Sequence, residues 1–146
     1  MAALDQRVRD LAARLGLRIG YIAAAGFNNV TGRPIRLIVL HDMEYPERPD
    51  GAEWCANFFA SGRVRASAHY CVDNDSAVQG VDVEDVAWAA PGANHDGVQV
   101  EQAGFAAQSR EQWLDPYSRA EMANTAKLVA ALCVALDIPA RHLTVA

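Results

Sequence analysis

The chain has 146 residues, the size of one ordinary domain, and 51% of them are hydrophobic while 21% are charged. This composition excludes a disordered, collagen-like or coiled-coil protein. With 13 basic and 18 acidic residues the net charge is −5 and no basic cluster occurs, so we expect no nucleic-acid partner. No apolar run reaches the roughly 18 residues of a membrane span, so we expect no membrane insertion. The three cysteines lack CxxC spacing and are expected to be free thiols in a reducing compartment.

The first predicted element is an amphipathic helix. Its apolar residues Leu4, Val8, Leu11 and Leu15 recur at steps of three and four. Charges run through this segment, and it lacks the apolar core of about 7–15 residues that marks a secretion signal. We therefore expect residues 1–34 to form an N-terminal helix and a lead-in segment of a protein made in the cytoplasm.

Four apolar segments predict a β-sheet. Residues 35–40 form a β-branched run that ends at His41, and this near-continuous apolar character predicts a central strand. Residues 66–72 and 77–81 are separated by four polar turn formers, which predicts a hairpin. Residues 98–103 alternate between apolar and polar side chains, the period of a strand.

Two further helices complete the predicted domain. Residues 52–60 form a helix whose core-facing stripe contains Trp54, Cys55, Phe58 and Phe59. Asp115 as N-cap and Pro116 at the first helical position open a long helix that ends at residues 137–139. The sequence therefore predicts one α/β domain with a central mixed β-sheet flanked by helices. The predicted core-facing stripe of the long helix consists of Met122, Ala126, Val129, Leu132, Cys133 and Leu136.

The histidines and one glutamate are the candidates for chemistry. His41 ends a strand, where α/β proteins place their sites, so it is either a ligand or catalytic residue or a strand cap bonded to a carbonyl. Glu101 lies on the polar face of an alternating strand and is either a general base in a cleft or a solvent-exposed acid. His69, inside a strand, is expected to be buried and bonded to the backbone, whereas His95 and His142 are expected at the surface. No GxSxG, P-loop or GxGxxG motif occurs.

Four segments occur in an informative order. These are LIVLH, then SAHYCVDNDS followed by AVQGV, then VAWAAPGANHDGVQVEQAG, and finally a long helix that closes in LDIP. Their combination resembles the type-2 N-acetylmuramoyl-L-alanine amidases, which share a fold with peptidoglycan-recognition proteins. The similarity covers about residues 35–140, and it is closest to amidase domains of phage endolysins that attack actinobacterial cell walls.

The resemblance implies a zinc hydrolase that cleaves the amide between the lactyl group of N-acetylmuramic acid and L-alanine in peptidoglycan. It assigns His41 as a zinc ligand and Glu101 as the acid/base group, and it places His69 near the site as a supporting residue that is not a ligand. Some relatives carry a catalytic tyrosine where this chain has Ala68, so Glu101 bears more of the catalysis. The groove for glycan and stem peptide would be lined by the loop that contains Trp88, Asn94 and His95.

One departure from the family pattern concerns the metal. The second and third zinc ligands of the resembled family follow the long helix in a segment like G-H-x-D…D-P-G-P, which does not occur here, and His142 lacks the flanking pattern. The resemblance therefore implies an amidase-like domain over residues 35–146 that is C-terminally incomplete. Its one zinc ion would be weakly held or absent, with little or no amidase activity.

Two alternatives to the endolysin interpretation stay open. A non-catalytic module could bind peptidoglycan without cleaving it, and an amidase inside a bacterial cell could recycle muropeptides. An endolysin would accumulate in the host cytoplasm and act on the cell wall after release. The expected partner is peptidoglycan in each case.

Overall fold

Within residues 2–143, which the computed structural model describes, five strands form one mixed sheet and three α-helices pack against it. The strands lie in the order β1-β4-β3-β5-β2, and all neighbours are parallel except the β3–β4 hairpin. The chain is therefore a single α/β domain with a central mixed sheet flanked by helices, as the sequence predicts. The strands are β1 (Ile19–Tyr21), β2 (Leu37–Asp42), β3 (Tyr70–Val72), β4 (Ala77–Gln79) and β5 (Gly97–Gln102). The helices are α1 (Ala3–Arg14), α2 (Gly51–Ala60) and α3 (Pro116–Leu136), with a short 3-10 helix at Gln112–Leu114 before α3.

The helices cover the two faces of the sheet unequally. Helices α1 and α3 pack on one face, where Val8, Val100 and Leu128 are fully buried. Helix α2 covers β3, β4 and β5 on the other face, where Cys55 packs with Cys71. Because side chains alternate between faces along a strand, residues next to the Val100 position face α2.

The predicted N-terminal helix is confirmed, and polar side chains hold it in place. The buried carboxylate of Asp5 accepts hydrogen bonds from Gln79 Nε2 at 2.6 Å and from the Val83 amide at 3.0 Å. Arg9 donates to Gln79 Oε1 at 2.7 Å and to the Gly20 carbonyl at 3.2 Å. The strand that follows, β1, is not predicted from the sequence because three residues are too few to show a period.

The predicted hairpin and helix ends are confirmed at the level of individual hydrogen bonds. Asp73 Oδ1 accepts from the amides of Asp75 at 3.1 Å and Ser76 at 2.7 Å, which closes the β3–β4 turn. Asp115 caps α3 by accepting from the Ser118 amide at 2.8 Å. Helix α3 ends where Asp137 adopts a left-handed conformation, with φ of 56°.

The prediction that residues 35–40 form a central strand is wrong in position. Strand β2 spans Leu37–Asp42 and lies at the edge of the sheet, paired only with β5 among the described strands. Leu40 is 50% exposed. The apolar run predicts that both faces of the strand are covered. It does not show whether a neighbouring strand pairs with each of its two edges.

Two predicted helical stripes are also corrected by the structure. Trp54 and Phe58 of α2 are 40% and 39% exposed, and Met122 and Ala126 of α3 are exposed. In α3 the apolar pattern misleads because polar side chains with partners occupy the buried face; for example, Glu121 accepts from the Ala103 amide at 2.6 Å. No helix within residues 2–143 is long and apolar enough to cross a membrane. The buried residues of α3 are Ser118, Glu121, Asn124, Thr125, Leu128, Ala131, Leu132 and Ala135.

Candidate functional site

Two residues predicted to carry chemistry, His41 of β2 and Glu101 of β5, lie next to each other on one face of the sheet. Strand β2 runs parallel to β5, and His41 lies directly opposite Glu101 in the pairing register. Cys71 of β3 lies opposite Glu101 on its other side. Because Cys71 packs against α2, all three side chains stand on the α2 face. The structure thus brings His41 and Glu101 together on rigid strands.

Glu101 has the electrostatics of an acid/base group. It is 8% exposed, and no hydrogen bond joins its carboxylate to another group within residues 2–143. Burial raises the pKa of Glu101 to about 7, an effect that His41 opposes and Asp42 reinforces. Near neutral pH the carboxyl group is therefore present in both protonation states, as a group that takes up and returns a proton requires.

Gln99 is the neighbour of His41 that the sequence does not single out. His41 is half-buried, and its Nε2 lies 2.9 Å from Gln99 Oε1. Gln99 itself is fully buried, and its Nε2 donates to the Ala93 carbonyl at 2.9 Å. The alternation of β5 places Gln99 on the face of Glu101. The sequence therefore indicates Gln99 only as a polar residue on the same face of β5 as Glu101, and in the folded chain this residue is buried.

His69 supports this arrangement from beneath. Its ring is fully buried, and Nδ1 accepts a hydrogen bond from the Gln99 amide at 2.9 Å while Nε2 lies 3.1 Å from the Asp85 carbonyl. Burial lowers the pKa of His69 to about 3, the Asp85 carbonyl opposes this shift, and the charge of Arg33 adds to it. Both ring nitrogens face protein groups, so His69 is placed as a structural residue behind Gln99 and is unsuited to bind a metal.

Polar atoms of the loop between Trp88 and Asp96 form hydrogen bonds both within the loop and to the rest of the domain. Asn94 Oδ1 accepts from the amides of Ala89 at 3.0 Å and Ala90 at 2.6 Å, which folds the loop. Trp88 Nε1 donates to Asn28 Oδ1 at 3.1 Å. This loop reaches the site through the Ala93 carbonyl that Gln99 holds. His95 is exposed, as expected, and its carbonyl accepts from Arg33 at 3.0 Å.

Three stacked aromatic rings border the same face. The rings of Tyr45 and Trp54 have centroids 4.0 Å apart, and those of Trp54 and Phe58 are 5.4 Å apart. Tyr45 follows β2 in the chain and forms a bridge with Gly104, just after β5. The stack therefore lies near the ends of β2 and β5, the two strands that carry His41 and Glu101.

The donor set within residues 2–143 does not fit a zinc site. No group of three His, Cys, Asp or Glu side chains in this part of the chain is arranged to hold a metal ion. The hydrogen bond with Cys55, together with burial, holds the pKa of the Cys71 thiol well above its usual range, so this sulfur stays protonated. His142 is exposed and lines a separate groove of about 780 Å³ with residues 36–40. A catalytic zinc needs three protein ligands, so no catalytic step is assigned to zinc here.

Comparison with known proteins identifies the family of the chain. The family model described as Amidase_2, N-acetylmuramoyl-L-alanine amidase, matches residues 31–146. No curated protein sequence matches the chain.

Several solved structures are similar to the chain in fold. The catalytic domain of XlyA superimposes with a TM-score of 0.67 at 16% identity, covering 84% of this chain and 80% of that chain. A mutant endolysin from Bacillus subtilis gives 0.65 at 18% identity, with coverage of 84% and 79%. The Drosophila peptidoglycan recognition protein PGRP-SA gives 0.62 at 16% identity, with coverage of 85% and 76%. At these identities the similarity shows the fold alone.

Proposed function

Because the chain belongs to the N-acetylmuramoyl-L-alanine amidase family, we propose that it hydrolyses the amide between N-acetylmuramic acid and L-alanine in peptidoglycan. The observation that carries this proposal is the buried carboxyl group of Glu101, which has a pKa of about 7 and lies opposite His41 on a rigid sheet. A glutamate on an exposed strand would keep its ordinary pKa and would be ionised at neutral pH.

In the proposed reaction Glu101 acts first as a base and then as an acid. It takes a proton from the water molecule that attacks the lactyl carbonyl carbon, and it returns that proton to the departing nitrogen of L-alanine. The C–N bond breaks, leaving a carboxylic acid on the lactyl group and a free amine on L-alanine. The reaction is a hydrolysis and needs no other reactant.

Zinc activation, which the family resemblance implies, is not part of these steps. Residues 2–143 offer His41 but no matching set of further ligands. We therefore expect cleavage by this chain to be slow.

We further propose that the protein is of the phage endolysin type. An endolysin made in the host cytoplasm meets intact cell wall after release, whereas a recycling amidase meets small soluble fragments. The likeness to an endolysin from Bacillus subtilis supports the first interpretation. Rates measured side by side on insoluble sacculi and on soluble anhydro-muropeptides separate the two. Preference for the soluble fragments would contradict the endolysin assignment.

A non-catalytic peptidoglycan-binding module is the second candidate function. Within residues 2–143 no three metal-ligating side chains stand together, which favours it, as does the likeness to a protein whose name describes recognition.

One experiment distinguishes the two candidates. Purified sacculi are incubated with the protein, and both co-sedimentation and the appearance of new L-alanine amino groups are measured. The amidase proposal predicts both signals. Binding without new amino groups supports the binding module, and absence of both contradicts both candidates.

A further inference from the structure

Gln99 is held at both ends of its side-chain amide. Its Nε2 donates to the Ala93 carbonyl at 2.9 Å, and its Oε1 lies 2.9 Å from His41 Nε2. The side chain is fully buried. Gln99 therefore connects the loop before β5 with the half-buried histidine at the end of β2.

The chemistry of these partners fixes which atom carries each proton. A backbone carbonyl can only accept a hydrogen bond, so the amide group that faces Ala93 is the NH₂ group. The carbonyl oxygen of Gln99 therefore faces His41, and it also can only accept. The neutral His41 ring must then carry its proton on Nε2, which leaves Nδ1 with a free lone pair. Within residues 2–143, Nδ1 has no hydrogen-bond partner.

A second histidine fixes the backbone from which Gln99 projects. The Gln99 amide donates to His69 Nδ1 at 2.9 Å, and the Gln99 carbonyl accepts from the His69 amide at 3.0 Å. A backbone amide can only donate, so His69 Nδ1 is unprotonated and the neutral ring carries its proton on Nε2. This proton is donated to the Asp85 carbonyl, 3.1 Å away, while Arg33 Nη2 lies 3.2 Å from the same nitrogen. The tautomer of each histidine is therefore set by a backbone group that has only one hydrogen-bonding role.

The first residue of β5 also leaves room for the hydrogen bond between Gln99 and Ala93. A Cβ atom at Gly97 would overlap the Ala93 carbonyl oxygen and come within 2.7 Å of Gln99 Nε2. Only glycine leaves room for the Gln99–Ala93 hydrogen bond at this point.

From this chain of contacts we propose that Gln99 is a positioning residue for His41. It holds the ring in the Nε2-protonated tautomer and so makes Nδ1 the nitrogen that is available in the site. The inference rests on the proposed function only in assigning His41 to that site; the tautomer itself follows from the hydrogen bonds.

The test uses the full chain with ¹⁵N-labelled histidine, and the His41 ring is observed by long-range ¹H–¹⁵N correlation at a pH where the ring is neutral. The wild type should show one tautomer, with the proton on Nε2. In Gln99→Met, which keeps the length but removes the acceptor, the two ¹⁵N shifts should move toward those of an exchanging mixture.

His69 provides the control within the same spectra. Backbone groups set its tautomer, so its signals should be unchanged in Gln99→Met unless the fold is lost. If Gln99→Met does not fold, the wild-type spectrum still decides the matter. A wild-type His41 that is protonated on Nδ1, or that exchanges between tautomers, would overturn the proposal.

Activity measured on sacculi separates this inference from the proposed function. His41 lies opposite Glu101, so a displaced His41 ring disturbs the geometry around the proposed acid/base group. Positioning by Gln99 therefore predicts that Gln99→Met lowers kcat about tenfold or more while KM changes little. Unchanged kcat with a changed tautomer would show that the bond does not serve catalysis and would overturn the positioning role. A wild type that shows the expected tautomer but releases no L-alanine amino groups would contradict the amidase proposal and leave the tautomer assignment standing.

Discussion

At the residue scale, the buried carboxyl groups of this domain differ in the number of hydrogen bonds they accept. Asp5 accepts two from protein donors, both through Oδ1, and its Oδ2 is buried without a partner among the described residues. Glu101 has none within the described part of the chain, and Glu121 has one, with its second oxygen buried and without a partner. Glu101 stands beside His41, whereas Glu121 lies at the packing surface of α3. Burial alone therefore does not distinguish the proposed catalytic acid from Glu121; the position of Glu101 beside His41 does.

Glu121 makes a prediction about stability and pH. Burial raises the pKa of Glu121 to about 8 from an ordinary 4.5; the Ala103 hydrogen bond opposes the shift, and the charges of Glu47, Asp73 and Asp115 add to it. Between these two values the unfolded chain releases a proton that the folded chain keeps, so the free energy of unfolding should fall as pH rises from about 4.5 to 8. At about 1.4 kcal/mol per pKa unit, the fall should reach a few kcal/mol.

Urea unfolding at several pH values measures this effect. Glu121→Gln keeps the acceptor for the Ala103 amide and cannot ionise, so it should be more stable than the wild type at pH 8, with a flatter profile. Glu84→Gln, at an exposed position, is the matched control and should follow the wild type. Parallel profiles for wild type and Glu121→Gln would show that Glu121 is ionised in the folded protein.

At the element scale, helix α1 is attached to the sheet through buried polar groups as well as apolar packing. Asp5→Ala would leave Gln79 Nε2 and the Val83 amide without the acceptor they share. Buried donors left unpaired cost about 1–3 kcal/mol each, so we expect the free energy of unfolding to fall by about 2 kcal/mol or more. Asp10→Asn, on the exposed side of α1, is the control. Equal urea midpoints for the two variants would contradict this role.

The start of β5 makes a second prediction at this scale. Gly97→Ala places a methyl group against the Ala93 carbonyl and Gln99 Nε2, so either the loop or the strand must shift. We expect a loss of about 1–3 kcal/mol of stability and a change in the His41 tautomer signal. Gly20→Ala, where the added carbon meets only ordinary contacts at 3.6 and 3.7 Å, should change neither quantity. Wild-type stability in Gly97→Ala would show that the loop yields freely.

These elements show what the sequence could and could not specify. The period of α1, the turn formers before β4 and the Asp115 cap are local signals, and each is confirmed. The position of β2 at the edge and the buried face of α3 depend on which distant segments pack against them, so local pattern misassigns both. Gln99 is missed for the same reason, because its significance comes from Ala93, His69 and His41, which only the folded chain brings together.

At the scale of the whole molecule, we expect the domain to fold without a bound metal ion. Two apolar layers on either side of the sheet bury a core of adequate size for a chain of this length without a bound ion. Within residues 2–143 the site offers His41 but no further set of ligands. The protein should therefore fold fully while holding little zinc.

Elemental analysis after dialysis against a weak chelator measures the zinc content directly. We expect well below one zinc ion per chain, and we expect the thermal midpoint to be the same with and without a strong chelator. Near-stoichiometric zinc would mean that His142 or a cysteine completes a site, and the ligand assignment would then be wrong.

The release of L-alanine amino groups from purified sacculi measures whether this chain cleaves peptidoglycan and whether cleavage depends on Glu101. Wild type, Glu101→Gln and the exposed control Glu84→Gln are compared at equal concentrations, with co-sedimentation confirming that all three bind. We expect slow release by the wild type and by Glu84→Gln, and a rate at least about 100-fold lower for Glu101→Gln. Equal release by wild type and Glu101→Gln, or binding by the wild type with no release at all, would contradict this expectation.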